Sequence, residues 1–330
     1  MTSFLVAPDA FKGTFRAAEV AAAIARGIRA GGGEAEECPV ADGGEGTVEV
    51  LCGVLGGELR TAPCHDPLGR PITATWAWLE RSRTALIEMA GASGLALVAP
   101  ADRDAEAASS AGTGELLIAA RDAGAAEAIL AIGGTATSDG GAGALEALTA
   151  AGGPGAMRLV LACDVTIPFE AAAEVFGPQK GASPAAVARL TERLHSLAVT
   201  LPRDPRGSAM TGAGGGLAGA LWAVYDAELR GGAALVLDAL GFDERLARAD
   251  AVVVGEGRLD GQTRHGKIAG EIAARADGKP VHAIVGSIGA DAEAPAWSAE
   301  FASVRVAGTP AELEAAGAAL AADSAGVSTL

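Results

Sequence analysis

The chain has 330 residues and a formal net charge of −16, with 50% hydrophobic and 4% aromatic residues. That length supports one large or two ordinary α/β domains with a real core, and so acidic a chain argues against a nucleic-acid or anionic-membrane surface. Its apolar runs fall short of the roughly 18 to 20 residues of a membrane span, its mean hydropathy of +0.30 comes mostly from alanine, and MTSFLVAPDAFKG has no basic n-region, so a cytoplasmic location is expected.

Residues 4–7 form a short apolar strand, followed by PDAFKGT and a helix with Val20, Ile24 and Ile28 on one stripe. A weaker strand ends at Val40; ADGGEGT follows, and Val48, Leu51, Cys52 and Leu55 then recur at helical spacing. From Cys64 to about Ala108 the texture changes. Ile72, Ala74, Trp76 and Trp78 alternate with Thr73, Thr75 and Ala77, and residues 84–89 make another strand, which predicts antiparallel pairing and a second subdomain. Residues 128–132 run into GGTATSDGGAG and a helix carrying Leu145 and Leu148. Residues 159–163 form a strand, and Ser183-Pro184 opens a helix with Val187, Leu190, Leu194 and Leu197, serine at the N-cap and proline at the first position. Residues 251–254 lead into GEGRLDGQTRHGK and a helix, and residues 281–285 lead into GSIG. Apolar strands alternating with amphipathic helices predict an α/β fold with a parallel sheet covered on both faces. The expected division is an inserted α/β domain of residues 65–109 plus 151–240, within a domain built from 1–64, 110–150 and 241–330.

In an open parallel sheet, ligands bind beyond the carboxyl ends of the strands. The unusual loops PDAFKGT, ADGGEGT, GGTATSDGGAG, CDVT and GEGRLDGQTRHGK all follow strands and are expected to share one edge. They carry Asp9, Asp42, Glu45, Asp139, Asp164, Glu256 and Asp260, and many bare backbone amides. Glycine turns feeding helix N-termini suit phosphate, and carboxylates with lysine suit Mg²⁺ and phosphoryl oxygens. Phosphoryl transfer is the reaction class this mixture favours. Of 25 basic residues 21 are arginine, yet three of the four lysines (Lys12, Lys180 and Lys267, but not Lys279) sit in PDAFKGT, GPQKGA and RHGKIAG. A compact ammonium fits phosphate in tight glycine loops better than arginine's planar fork.

Some of these signals also have plainer readings. Gly261-x-x-x-x-Gly266-Lys267 resembles a P-loop, but Ile268 stands where the metal-binding hydroxyl belongs and the strand ends too early. Gly214-x-Gly216-x-x-Gly219 matches a dinucleotide fingerprint without the strand before it, so Gly219 reads as close helix packing, while TGAGGG reads equally as an anion site or a turn. Asp9 and Asp139 read strongly as helix N-caps, Asp42 less so. His65, His195 and His282 have no metal-ligand spacing, and only His265, beside Gly266, invites attention. The scattered Cys38, Cys52, Cys64 and Cys163 lack CxxC spacing; they read as small core residues in a reducing compartment.

APDAFKGT, PVADGGEGTVE, DPLGRPITATW, IEMAGASGL, Ser110–Glu115, IGGTATSDGGAG, ACDVT, FGPQKGA and GEGRLDGQTRHGK together resemble the bacterial glycerate kinase type I family, in family order over most of residues 1–290. The resemblance implies a flavodoxin/Rossmann-like three-layer domain with a second α/β domain inserted. It also implies ATP- and Mg²⁺-dependent phosphorylation of D-glycerate, usually to 2-phosphoglycerate, with 3-phosphoglycerate the other product. The chain departs from the family pattern at Ser138, where asparagine is usual, at Ile167 after CDVT, and in a shortened segment between Leu148 and Leu159.

On that resemblance, glycerate is expected between the domains with ATP phosphates on the glycine loops. Asp42, Asp164 and Lys12 are the catalytic candidates. Lys12 and Lys180 are expected to contact carboxylate or phosphate, and Lys267 with Gly266 forms the phosphate cradle. Gly43, Gly44, Gly133, Gly134, Gly214 and Gly215 are further phosphate candidates; Asp42, Asp164, Glu256 and Asp260 are the candidates for Mg²⁺. The competing readings are a non-catalytic sugar-acid-sensing regulator on a kinase-like fold, and an NAD-dependent oxidoreductase, which lacks its strand.

Overall fold

The computed structural model describes residues 1–11, 13–259, 268–289 and 300–327. The chain forms two compact units, Met1–Asp42 with Ala233–Leu330, and Gly43–Gly232. In chain order, β1 (Ser3–Pro8), a helix (Ala17–Ala30) and β2 (Glu34–Glu37) begin the first unit. The second unit contributes β3 (Glu58–His65), β4 (Pro71–Leu79), β5 (Thr84–Glu88), β6 (Glu127–Ile132), β7 (Arg158–Cys163) and β8 (Glu228–Gly231). The first unit resumes with β9 (Ala251–Glu256), β10 (Val281–Val285), β11 (Ser303–Val306) and the helix Pro310–Val327.

In the first unit the sheet runs β11-β10-β9-β1-β2, every pair parallel. Counted within the unit, that order is 2-1-3-4-5, the flavodoxin-like arrangement, whose switch point lies between β1 and β9. The helix Ala17–Ala30 buries its predicted stripe, Val20, Ile24 and Ile28, in a core with Phe4, Val253 and Leu313. Its small residues let it lie against the helix Pro310–Val327 at backbone distance: a Cβ on Gly27 would sit 1.9 Å from the Glu314 carbonyl oxygen. β2 stops at Glu37, short of Val40, but the ladder continues as Cys38 N–H to Val6 O (2.8 Å) and Val40 N–H to Pro8 O (3.0 Å).

In the second unit the sheet runs β3-β4-β5-β6-β7-β8. β3 and β5 flank β4 antiparallel, as the alternation in residues 72–78 predicts, and β5 through β8 are parallel. Trp76, Ile87, Leu116, Leu148, Leu161 and Leu217 share one core. A smaller cluster gathers Phe169, Leu190 and Leu194. Ile167 packs against this smaller cluster, so the departure after CDVT is absorbed in packing. The helix Pro184–Ala198 starts where predicted, with Ser183 Oγ accepting the Ala186 N–H at 3.2 Å. The shortened segment is a tight turn whose Ala151 and Gly153 carbonyls accept from Arg121, at 2.7 and 2.6 Å.

The division differs from the expected one. The insertion is one continuous stretch, Gly43–Gly232, so residues 43–64 and 110–150 leave the first unit and 233–240 join it. The reason is sheet pairing. β6 hydrogen-bonds to β5 on one side and β7 on the other, so residues 110–150 cannot be separated from the antiparallel strands beside them.

Candidate active site

At the carboxyl edge of the first unit, the loops after β1, β9 and β10 surround a pocket of about 350 Å³, at the switch point where such sheets bind ligands. Asp9, Thr14, Asp42, Glu256, Arg258 and Ser287 bring its polar groups. The chain folds tightly here. Asp9 N–H donates to Gly255 O (2.8 Å), Thr14 Oγ1 donates to Phe11 O (2.7 Å), and Leu259 N–H reaches from one loop to Ser287 O (2.9 Å). Asp9 Oδ1 accepts the Ala10 N–H at 2.7 Å; Asp9 and Asp42 are both buried at the pocket wall. Carboxylate and hydroxyl oxygens suit a hard cation. The described residues hold no group of three or more His, Cys, Asp or Glu placed to cage a metal. Mg²⁺ is a cation of that kind, held by one or two carboxylates plus phosphate oxygens and water.

In the second unit a different arrangement sits at the carboxyl edge of β5 through β8. Gly43 and Gly44 press against the strand ends: a Cβ on Gly43 would meet Gly232 Cα at 2.4 Å, and one on Gly133 would meet Gly44 Cα at 2.8 Å. Glu88, the last residue of β5, accepts the Gly46 and Val48 N–H groups at 3.0 and 2.9 Å. The N-terminus of the helix Thr47–Leu55 is therefore engaged by the protein's own carboxylate. Burial pushes the Glu88 carboxyl up, two amide bonds pull it down, and Glu45 and Glu49 push it up again. Asp164 follows β7 and is half-buried.

The loop after β6 is polar and buried. Asp139 accepts from Ser110 N–H (2.9 Å), Ser110 Oγ (2.7 Å), Gly141 N–H (3.0 Å) and Gly143 N–H (3.1 Å); it is not the N-cap residue, which is Gly141, but its carboxylate serves the start of that helix from two residues upstream. Lys180 is 3% exposed and donates from Nζ to Thr137 O (2.6 Å) and Thr135 Oγ1 (3.4 Å). Burial pushes its ammonium down to about 8 against a smaller upward pull from Asp139. Ser138 Oγ is buried with no hydrogen-bond partner among the described residues, at the position where the family pattern has asparagine. The Gly214-Gly215 turn backs onto the same loop, and a Cβ on Gly215 would lie 2.0 Å from Thr137 O. Gly219 faces Phe169 and Thr211 O inside its helix, as the packing reading expects.

The first-unit pocket thus gathers Asp42 and Glu256. Gly43, Gly44, Gly133, Gly134, Asp164, Lys180, Gly214 and Gly215 belong to the second unit, and Lys12, Asp260, Gly266, Lys267 and His265 lie outside the described residues. Lys279 donates to the Leu246, Ala247 and Ala249 carbonyls and so caps a helix end away from the pocket lining. Among the described residues His65 pairs with Glu115 and His282 with Ser303. All four cysteines are buried and reduced. Arg258 and Glu88 lie within GEGRLDGQTRHGK and IEMAGASGL but are not among the candidate site residues read from the sequence. The available signal was position: an acid ending the apolar run TALIE, and a cation just past AVVVGE.

The model of the glycerate kinase family matches residues 4–152 and 154–325. The chain belongs to that family. It is an enzyme of the phosphotransferase class with an alcohol group as acceptor. It is 38% identical to the glycerate 2-kinase of Escherichia coli (strain K12) over 323 residues, 86% of this chain and 85% of that protein. With the glycerate kinase of Bacillus subtilis (strain 168) the identity is 39%, covering 88% of this chain and 86% of that protein. A solved structure assigned provisionally as glycerate kinase 2 of Salmonella typhimurium LT2 superposes with a TM-score of 0.84 at 36% identity, covering both chains fully. Among the described residues no helix is long and apolar enough to cross a membrane. Nothing in these likenesses favours the regulator reading.

Proposed function

We propose that this family member is a cytoplasmic ATP-dependent glycerate kinase that phosphorylates D-glycerate to 2-phosphoglycerate with Mg²⁺. The observation that carries the reading is the 38% identity to a protein named glycerate 2-kinase across 86% of the chain. The first-unit pocket supports it chemically. Asp42 and Glu256 are the residues to hold Mg²⁺ there, and Arg258 offers a cation for an anionic ligand; Lys12, Lys267 and Gly266 are carried over as phosphate contacts. When bound, Mg²⁺ neutralises charge on the transferring phosphoryl group. Asp164 is the metal candidate within the second unit. Gly43, Gly133, Gly214 and Gly215 have a packing reason to be glycine and Gly134 a positive φ of 64°; their amides and that of Gly44 remain candidates for phosphate oxygens. Lys180 supports that side from behind, holding the 135–137 backbone in place.

A coupled assay that follows ADP release tests the reading. ADP should form only when ATP, Mg²⁺ and D-glycerate are all present, and omission of Mg²⁺ or its chelation should stop the reaction. ADP release independent of glycerate would overturn the acceptor assignment.

A further inference from the structure

We propose that Glu88 is the general base of the reaction, with Oε2 taking the proton of the acceptor hydroxyl; this rests on the kinase reading above. Glu88 ends β5 at the carboxyl edge of the parallel strands, with Ala131 of β6 as its register partner. That edge is where an open α/β sheet presents groups to ligands. Its two oxygens are used unequally. Oε1 accepts both the Gly46 and the Val48 N–H, whereas Oε2 has no hydrogen-bond partner among the described residues. Two amides on one oxygen fix the carboxylate plane and leave the lone pairs of the other available.

The surroundings suit the role. Gly46 has open space where a Cβ would stand, whereas Gly133 is packed against Gly44 Cα. The charged groups facing Glu88 are Glu45, from the loop, and Glu49, from the first turn of the helix. Their repulsion adds to burial in raising the carboxyl's proton affinity, which moves a base closer to its working pH. In the step itself the hydroxyl oxygen forms a bond to the γ-phosphorus of the nucleoside triphosphate. The bond from that phosphorus to the bridging oxygen breaks, its electron pair leaves with the diphosphate, and the hydroxyl proton passes to Oε2.

The test compares kcat, KM and melting temperature of the wild type, Glu88→Gln and Glu88→Ala with D-glycerate, ATP and Mg²⁺ across pH 5 to 9. Glutamine keeps one acceptor oxygen for the two amides. Glu88→Gln should therefore melt near the wild type and keep KM within about threefold, while kcat falls about 10²–10⁴-fold. Its acidic limb should also vanish from the pH profile of kcat. Glu88→Ala should lose both activity and the anchor, melting lower. A Glu88→Gln enzyme with wild-type kcat and an unchanged acidic limb overturns the assignment. So does a wild-type kcat that stays flat when the profile is extended down to pH 4, a readout that needs no variant to fold. A wild type inactive on D-glycerate would instead overturn the kinase reading, and this assignment with it.

Discussion

At the scale of single residues, burial has sorted the charged groups into different jobs. Lys180 has the residue type expected of a phosphate contact, but its ammonium is enclosed and bonded to Thr137 O and Thr135 Oγ1. Its pKa near 8 in the folded chain lies below its ordinary 10.5. Between those values the unfolded chain binds more protons, so stability rises with pH through that window. The wild type should gain about 2 kcal/mol relative to Lys180→Met between pH 8 and 9.5. Denaturant unfolding at several pH values measures this; parallel stability curves would contradict it. The lysine signal was legible because three of four lysines fall in glycine loops. Burial of Lys180 was not, since nothing in GPQKGA says that Phe176 and the 135–137 backbone close over it. Glu88 was hidden for the opposite reason. One acid after a strand is unremarkable until the fold brings two amides onto one of its oxygens.

At the scale of elements, caps and close approaches hold the loops. Asp139 ties the start of the helix Ala111–Asp122, through Ser110, to the start of the helix Ala142–Ala150, through Gly141 and Gly143. Asp139→Ala leaves three N–H groups and a hydroxyl without their acceptor in a buried place, at about 1–3 kcal/mol for each orphan. It should lower stability by about 3 kcal/mol or more, read as a fall in urea midpoint. A loss under about 1 kcal/mol would mean that water or backbone movement replaces the carboxylate. The sequence reads Asp139 as an N-cap, but not as a carboxylate serving the starts of two helices, because Ser110 lies 29 residues away. The Ser183-Pro184 start is fully local and is read from the sequence alone.

On the scale of the whole molecule, the alternation of strands and helices was enough to expect a parallel α/β protein with an insertion. Where the insertion begins and ends was not readable. β3 (ELRTAPCH) carries little apolar alternation and a proline, so it marks no boundary, and the pairing of β6 between β5 and β7 is non-local. The observed unit Gly43–Gly232 has its own core, and its two ends meet, Gly43 packing on Gly232 Cα. A fragment of residues 43–232 should therefore fold alone, with one cooperative thermal transition. A non-cooperative, aggregating fragment would contradict the division.

The central claim, that this chain is a glycerate 2-kinase, is tested most directly by proton-coupled phosphorus NMR of the product formed from ATP and D-glycerate. A phosphate ester on carbon 2 couples to one carbon-bound proton, and the account predicts a doublet. A triplet, from an ester on the carbon 3 methylene, would contradict the assigned product, and the absence of any new phosphomonoester signal would contradict the kinase reading itself.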